Sequence, residues 1–150
     1  MKKIFALLSF LLFAVSTQAQ YATLNNIIQR LEEKQGITKE LKDVSIDHKK
    51  FIIIKNFEDH TERHFIIFKD KQVTYVELFD DKATGETTSN VFTGDFVRSR
   101  KNVISIRCHE LEGKKIPIPI TKTLLLTKQK KILYLLDINS KDRWIDETSL

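Results

Sequence analysis

Asn102-Val103-Ile104-Ser105-Ile106-Arg107-Cys108-His109 alternates apolar and polar side chains. Neighbours along an extended strand point to opposite faces, so Ile104, Ile106 and Cys108 share one face and Ser105, Arg107 and His109 the other. One face belongs to a core and the other to water, or to the lining of a cavity. No helix satisfies this pattern, because a period near 3.6 would scatter the same residues around the axis.

The period of two extends outward from this segment over everything after Asp43. It predicts about nine short strands: Val44–His48, Phe51–Phe57, His64–Lys69, Gln72–Phe79, Thr88–Thr93, Asn102–His109, Lys115–Ile120, Lys122–Lys128 and Ile132–Ile138. Most links are too short for a parallel crossover, which takes a dozen residues or more. Glu58–Arg63, Asp70-Lys71 and Gln129–Lys131 therefore read as turns between antiparallel neighbours. Asp80–Glu86 reads as a longer loop, and Gly94–Lys101 as the place for a bend or bulge.

Ile116-Pro117-Ile118-Pro119-Ile120 holds both prolines of the chain. Amides at alternate positions point the same way, so one side of this stretch has no donors. That predicts an edge strand, or a strand at a sheet break, with Ile116, Ile118 and Ile120 filling the core.

Before the strands, Leu24, Ile27, Ile28 and Leu31 make one apolar stripe. The spacing predicts a helix over Ala22–Gln35, capped by Thr23 and stopped at Gly36. Lys2 and Lys3, the apolar run Ile4–Val15, and the small residues Thr17 and Ala19 form the layout of a secretory signal peptide cleaved after Ala19. The run is short of the ~20 residues that span a bilayer. The expected organisation is a signal peptide over residues 1–19 and one domain over 20–150. The product is expected to be exported, periplasmic or secreted, with no transmembrane segment left after cleavage.

The expected fold is α+β, mainly β. The N-terminal amphipathic helix precedes an antiparallel meander that forms a curved sheet or partly closed barrel. A two-layer β-sandwich is the alternative. The outline is similar to lipocalin-like barrels, but their early Gly-x-Trp signature is missing, and the one Trp is Trp144.

Charge excludes little. The 150 residues carry +5, which falls by two if Lys2 and Lys3 are removed. Both signs alternate along the chain without a basic cluster, so nucleic acid is not an expected partner. One Cys precludes an intramolecular disulfide.

The chemistry-bearing clusters read mostly as structure. His60 and His64, in His60-Thr61-Glu62-Arg63-His64, would share a helical face for zinc, but the segment falls where a turn is expected. Glu58, Asp59 and His48 are the only nearby further ligands. Cys108 and His109 point to opposite faces and cannot pair, which leaves Cys108 a buried, quiet thiol. The pairs Glu58-Asp59 and Asp80-Asp81 read as turn residues. Lys82 spoils Asp80–Glu86 as a calcium loop. Arg143-Trp144-Ile145-Asp146 reads as a plug packed over the sheet end, with a ligand-stacking Trp144 as the alternative. No catalytic residue, metal site or cofactor is therefore expected. Binding is the expected activity, of a small apolar ligand or a cell-envelope partner. A secreted hydrolase and an interaction or inhibitor domain are the alternatives, and the oligomeric state is left open. Converging His and carboxylate groups in a cleft would favour the hydrolase; an apolar cavity would favour the binder.

Overall fold

The computed structural model describes residue 41, residues 43–99 and residues 102–150. The signal peptide and the helix expected over Ala22–Gln35 lie outside the described residues. Eight strands follow in chain order: β1 (Lys50–Asn56), β2 (His60–Lys69), β3 (Gln72–Asp81), β4 (Thr87–Arg98), β5 (Val103–Leu111), β6 (Lys114–Gln129), β7 (Ile132–Asp137) and β8 (Arg143–Asp146). Each pairs antiparallel with the next, and β8 pairs back onto β1 at Phe51↔Asp146 and Ile52↔Ile145, so the meander closes into a barrel. Closure removes the exposed edges that a curved open sheet would keep. A short 3₁₀ turn, Glu147–Ser149, ends the chain. No helix among the described residues is long and apolar enough to cross a membrane.

The strand expectations need four corrections. Val44–His48 is not a strand. The segment before β1 is irregular, because its carbonyls are taken by the Arg98 guanidinium, which donates to the Leu41 and Val44 oxygens. The stretches 115–120 and 122–128 are one strand, β6, since Thr121 continues the pairing with β5. β4 runs unbroken through Gly94, with the expected irregularity confined to a register shift at Thr93/Gly94. Arg143–Asp146 is not a plug but β8, the strand that closes the barrel.

Tight turns set the register. Asp70 (φ 51°) and Lys71 (φ 66°) are both left-handed, as a two-residue hairpin of the primed type requires. Gly94 has a different role. A Cβ there would sit 1.9 Å from the Arg107 carbonyl oxygen, so only glycine lets β5 come this close at the bulge.

The proline stretch lies where β5 and β6 lose register, between Cys108↔Ile120 and Glu110↔Lys115. β6 meets β7 only from Leu124 onward, so Lys114–Ile120 extends past that neighbour. Ile118 does not fill the core. It is 81% exposed, because this arm leaves the barrel wall, while Ile116 and Ile120 still pack against the core.

Inside, one end of the barrel is apolar. Phe51, Ile66, Phe68, Val73, Ile106 and Leu124 belong to a single buried cluster. Leu41 and Ile46, from the segment before β1, join it and cover this end. The segment is held by Phe68 N–H to the Lys49 oxygen and by an ion pair from Lys49 to Asp146 at 2.6 Å. An eight-stranded barrel is just wide enough to be filled by side chains or to hold one small ligand. The apolar end takes the first course.

Candidate functional site

The other end of the interior is polar. On β2 the residues His60, Glu62 and His64 alternate inward, in phase with the buried Ile66 and Phe68. The turn expected at His60–His64 is therefore corrected: the link is residues 57–59, and the histidines stand on a strand with Glu62 between them. Across the β2–β3 ladder, Glu62 faces Phe79, His64 faces Glu77 and Ile66 faces Tyr75. β6 contributes Lys122, β1 Lys55 and β8 Trp144.

A hydrogen-bonded chain joins three of these. The Tyr75 hydroxyl donates to Glu77 Oε1 at 2.7 Å, and its oxygen lies 3.3 Å from His64 Nδ1. One hydroxyl carries one proton, so the Tyr75 oxygen accepts from Nδ1–H, and neutral His64 keeps a bare lone pair on Nε2. That Nε2 is buried and has no hydrogen-bond partner among the described residues. Glu62 Oε2 lies 3.3 Å away, but two unprotonated acceptors cannot satisfy each other. Trp144, 1% exposed, leaves its Nε1–H buried and unpaired as well. Its ring lies 6.1 Å from that of His64 and 6.0 Å from that of Tyr75. Buried polar groups of this kind are rare, since each costs about 1–3 kcal/mol when unpaired.

Burial sets the titration of this end. Desolvation pushes His64 below its ordinary value, against the opposing pull of Glu77 and Glu62, so the ring is neutral near pH 7. Burial, then the Glu77 hydrogen bond, hold Tyr75 far above the ordinary phenol range. The two interior lysines have acidic partners: Lys55 bonds Asp142 at 2.8 Å, and Lys122 lies 3.7 Å from Asp137 and over the Tyr75 ring.

Above this layer is an open cleft of about 390 Å³ lined by Asp59, His60, Phe79, Asp81, Thr84, Glu86 and Thr88. Phe79 belongs to both levels, since its ring meets His64 edge-on at 6.1 Å. His60 bonds Asp59 at 2.6 Å, which raises its pKa. Asp81 accepts from the Ala83 and Thr84 amides and shapes the loop before β4.

Other residues singled out in the sequence lie elsewhere. Cys108 is buried beside Ile104 and Ile106 inside the barrel, and burial pushes its thiol up to about 11. Ser105 and Arg107 are exposed, and His109 is half-buried at the register break. His48 is at the covered end and does not join His60 and His64, for which it was one of the nearby further ligands. It forms there, with Asp47 and Asp70, an exposed triplet whose ligand atoms lie within 4.8 Å of one another. Trp144 does not lie over a sheet end but inside the wall. Arg143 stacks on Tyr134 at 4.0 Å and bonds Gln129.

Tyr75, Glu77, Lys55 and Lys122 were not singled out by sequence reasoning. The signal for Lys122 was present: it holds an inward position between Ile120 and Leu124. Comparison with family models, curated proteins and solved structures finds no match for this chain.

Proposed function

We propose that the protein is an exported binding barrel that holds one small ligand at the polar end of its interior. The observation that carries this is the pair of buried, unpaired groups, His64 Nε2 and Trp144 Nε1, set among aromatic rings beneath the cleft. A cleft of this size falls in the range of small-molecule sites, and its lining is polar and acidic, with Phe79 as the one apolar residue. The expectation of a purely apolar ligand is modified accordingly. The apolar end is filled by its own side chains, and the end with unmet hydrogen-bonding capacity is the polar one. The signal-like N-terminus supports export.

A second reading, an acid–base enzyme, draws support from the linked His64, Tyr75 and Glu77. Cys108 gives it no nucleophile, with its thiol buried and pushed up to about 11.

Native mass spectrometry of protein purified from its own host tests the binding reading, because a retained ligand appears as added mass. Trp144 is the only tryptophan, so its fluorescence reports the site directly. A retained mass whose removal shifts Trp144 emission, and whose return restores it unaltered, supports binding. Chemical conversion of the returned compound supports the enzyme. A host-purified protein without added mass, and with no emission response to host extract, defeats both.

A further inference from the structure

We infer that the ligand is a small arylalkylamine with a hydroxyl on the carbon next to the one that bears its nitrogen, its ammonium set against the Glu62 carboxylate beside His64 Nε2. This rests on the binding reading above and names the chemical class of its occupant.

Three observations converge on it. First, His64 Nε2 is an acceptor without a donor among the described residues, and the Glu62 carboxylate oxygen 3.3 Å away cannot supply one. A protonated amine has three N–H donors and one positive charge, so it satisfies both at once. Glu77, whose Oε1 already takes the Tyr75 hydroxyl, adds a second carboxylate close by.

Second, this end of the barrel has excess negative charge in a chain whose net charge is +5. The lining of the cleft alone brings Asp59, Asp81 and Glu86, with His60 as its one basic group. Below it the lysines are already matched, Lys55 with Asp142 and Lys122 with Asp137, which leaves Glu62 with only His60 and His64, and Glu77 with no lysine or arginine, within ion-pair distance among the described residues. An anionic ligand would meet net repulsion here, and a cation meets attraction in a partly desolvated site.

Third, the flanking surfaces suit an aromatic cation. Phe79, Tyr75 and Trp144 surround His64 with ring centroids near 6.1 Å. Ring faces attract ammonium groups and stack on a ligand ring. Trp144 Nε1–H then requires an acceptor, and with its ring centroid 6.1 Å from that of His64 a hydroxyl on the carbon next to the amine-bearing one can supply it.

A matched set of probes on one skeleton tests the inference: phenylethanolamine, phenethylamine, phenylethanol and mandelate. These present amine with hydroxyl, amine alone, hydroxyl alone, and hydroxyl with an anion. Binding to the full chain is read by Trp144 emission and by calorimetry. Phenylethanolamine is expected to bind at least tenfold tighter than phenylethanol, about 1.4 kcal/mol. Phenethylamine is expected to fall in between, and mandelate to give no saturable change. In Glu62→Gln the preference for phenylethanolamine over phenylethanol should shrink to within threefold. Should that variant not fold, Glu77→Gln takes its place with the same expectation. Equal or tighter binding of phenylethanol or mandelate overturns the amine assignment and leaves the binding reading standing. An undiminished amine preference in the folded Gln variant also overturns it. No saturable response to any of the four probes overturns the assignment and counts against the binding reading together.

Discussion

The two ends of the barrel interior are built from the same strands and differ in what fills them. β2 passes from His60, Glu62 and His64 to Ile66 and Phe68, and β6 from Lys122 to Leu124 and Leu126, with no change in which positions face inward. At the covered end the inward side chains meet each other and exclude water. At the open end they leave hydrogen-bonding capacity unmet. The pleat fixes direction, and side-chain identity alone decides whether an inward position stabilises the fold or holds something for a ligand. The covered end should therefore carry stability and the open end function, and each substitution below can break that division.

Phe68→Ala should have the largest effect. Phe68 has no exposed surface and packs edge-on against Phe51 and Phe96, with centroids at 6.1 and 4.9 Å. Its truncation should cost about 3–5 kcal/mol. Glu62→Gln at the open end keeps the side-chain volume and should stay within about 0.5 kcal/mol. Urea denaturation of the two variants measures the contrast. Comparable losses would mean that stability is spread evenly along the axis.

Gly94→Ala probes the wall between the two ends. The new methyl would meet the Arg107 carbonyl oxygen and the Cys108 Cα, at 1.9 and 2.6 Å. Both are backbone atoms that cannot rotate away, so the bulge itself must shift, at about 1–3 kcal/mol. A thermal melt indistinguishable from the parent would show that β4 and β5 can part there at no cost. Because the bulge sits beside Tyr75↔Phe92, this variant should also weaken ligand binding.

How much of this was legible in the sequence follows the same division. The covered end could be read from alternation, since Ile104, Ile106 and Cys108 or Ile66 and Phe68 advertise their face by hydrophobicity. The polar end could not, because inward His60, Glu62 and His64 look like the polar residues of a turn. Only the pairing of His64 with Glu77 shows that the alternation continued with different chemistry. Ile118 failed in the opposite direction. Its alternation was intact, but the register break at the prolines carried it out of the wall. Closure was also hidden, because the β1–β8 seam depends on a four-residue strand that the sequence presents as a tail.

His64→Phe should separate stability from function. A buried imidazole with an unmet Nε2 costs stability in the empty protein, and a phenyl ring of similar shape removes that cost among Tyr75, Phe79 and Trp144. The variant should be more stable by about 1 kcal/mol and should lose the tenfold preference for the amine probe. A destabilised variant would mean that His64 is a structural member of the network and not a group held ready for a ligand.

The smallest effect is in the pH dependence, and it distinguishes the depths of the two histidines at the open end. Desolvation lowers the folded-state pKa of His64 from the ordinary 6.5, with Glu77 and Glu62 pulling it up and Lys55 and Lys122 pushing it down. The unfolded chain then binds the proton first as pH falls, so protonating His64 weighs on the folded state and stability falls as pH drops below 6.5. His60 has the opposite sign. Its hydrogen bond to Asp59 raises its folded-state pKa, so its contribution is complete below 6.5 and is lost as pH rises above that value. The two windows meet at 6.5 without overlapping, and stability should crest there. The arms differ in their response to salt. The His60–Asp59 pair is solvent-exposed and screened, so added salt should flatten the alkaline arm and leave the acidic one. His64→Phe should flatten the acidic arm alone. Denaturation midpoints between pH 5 and 8, at low and high salt, read both changes. An acidic arm that survives in His64→Phe would place the proton uptake on another group and remove His64 from the neutral state that its bare Nε2 requires.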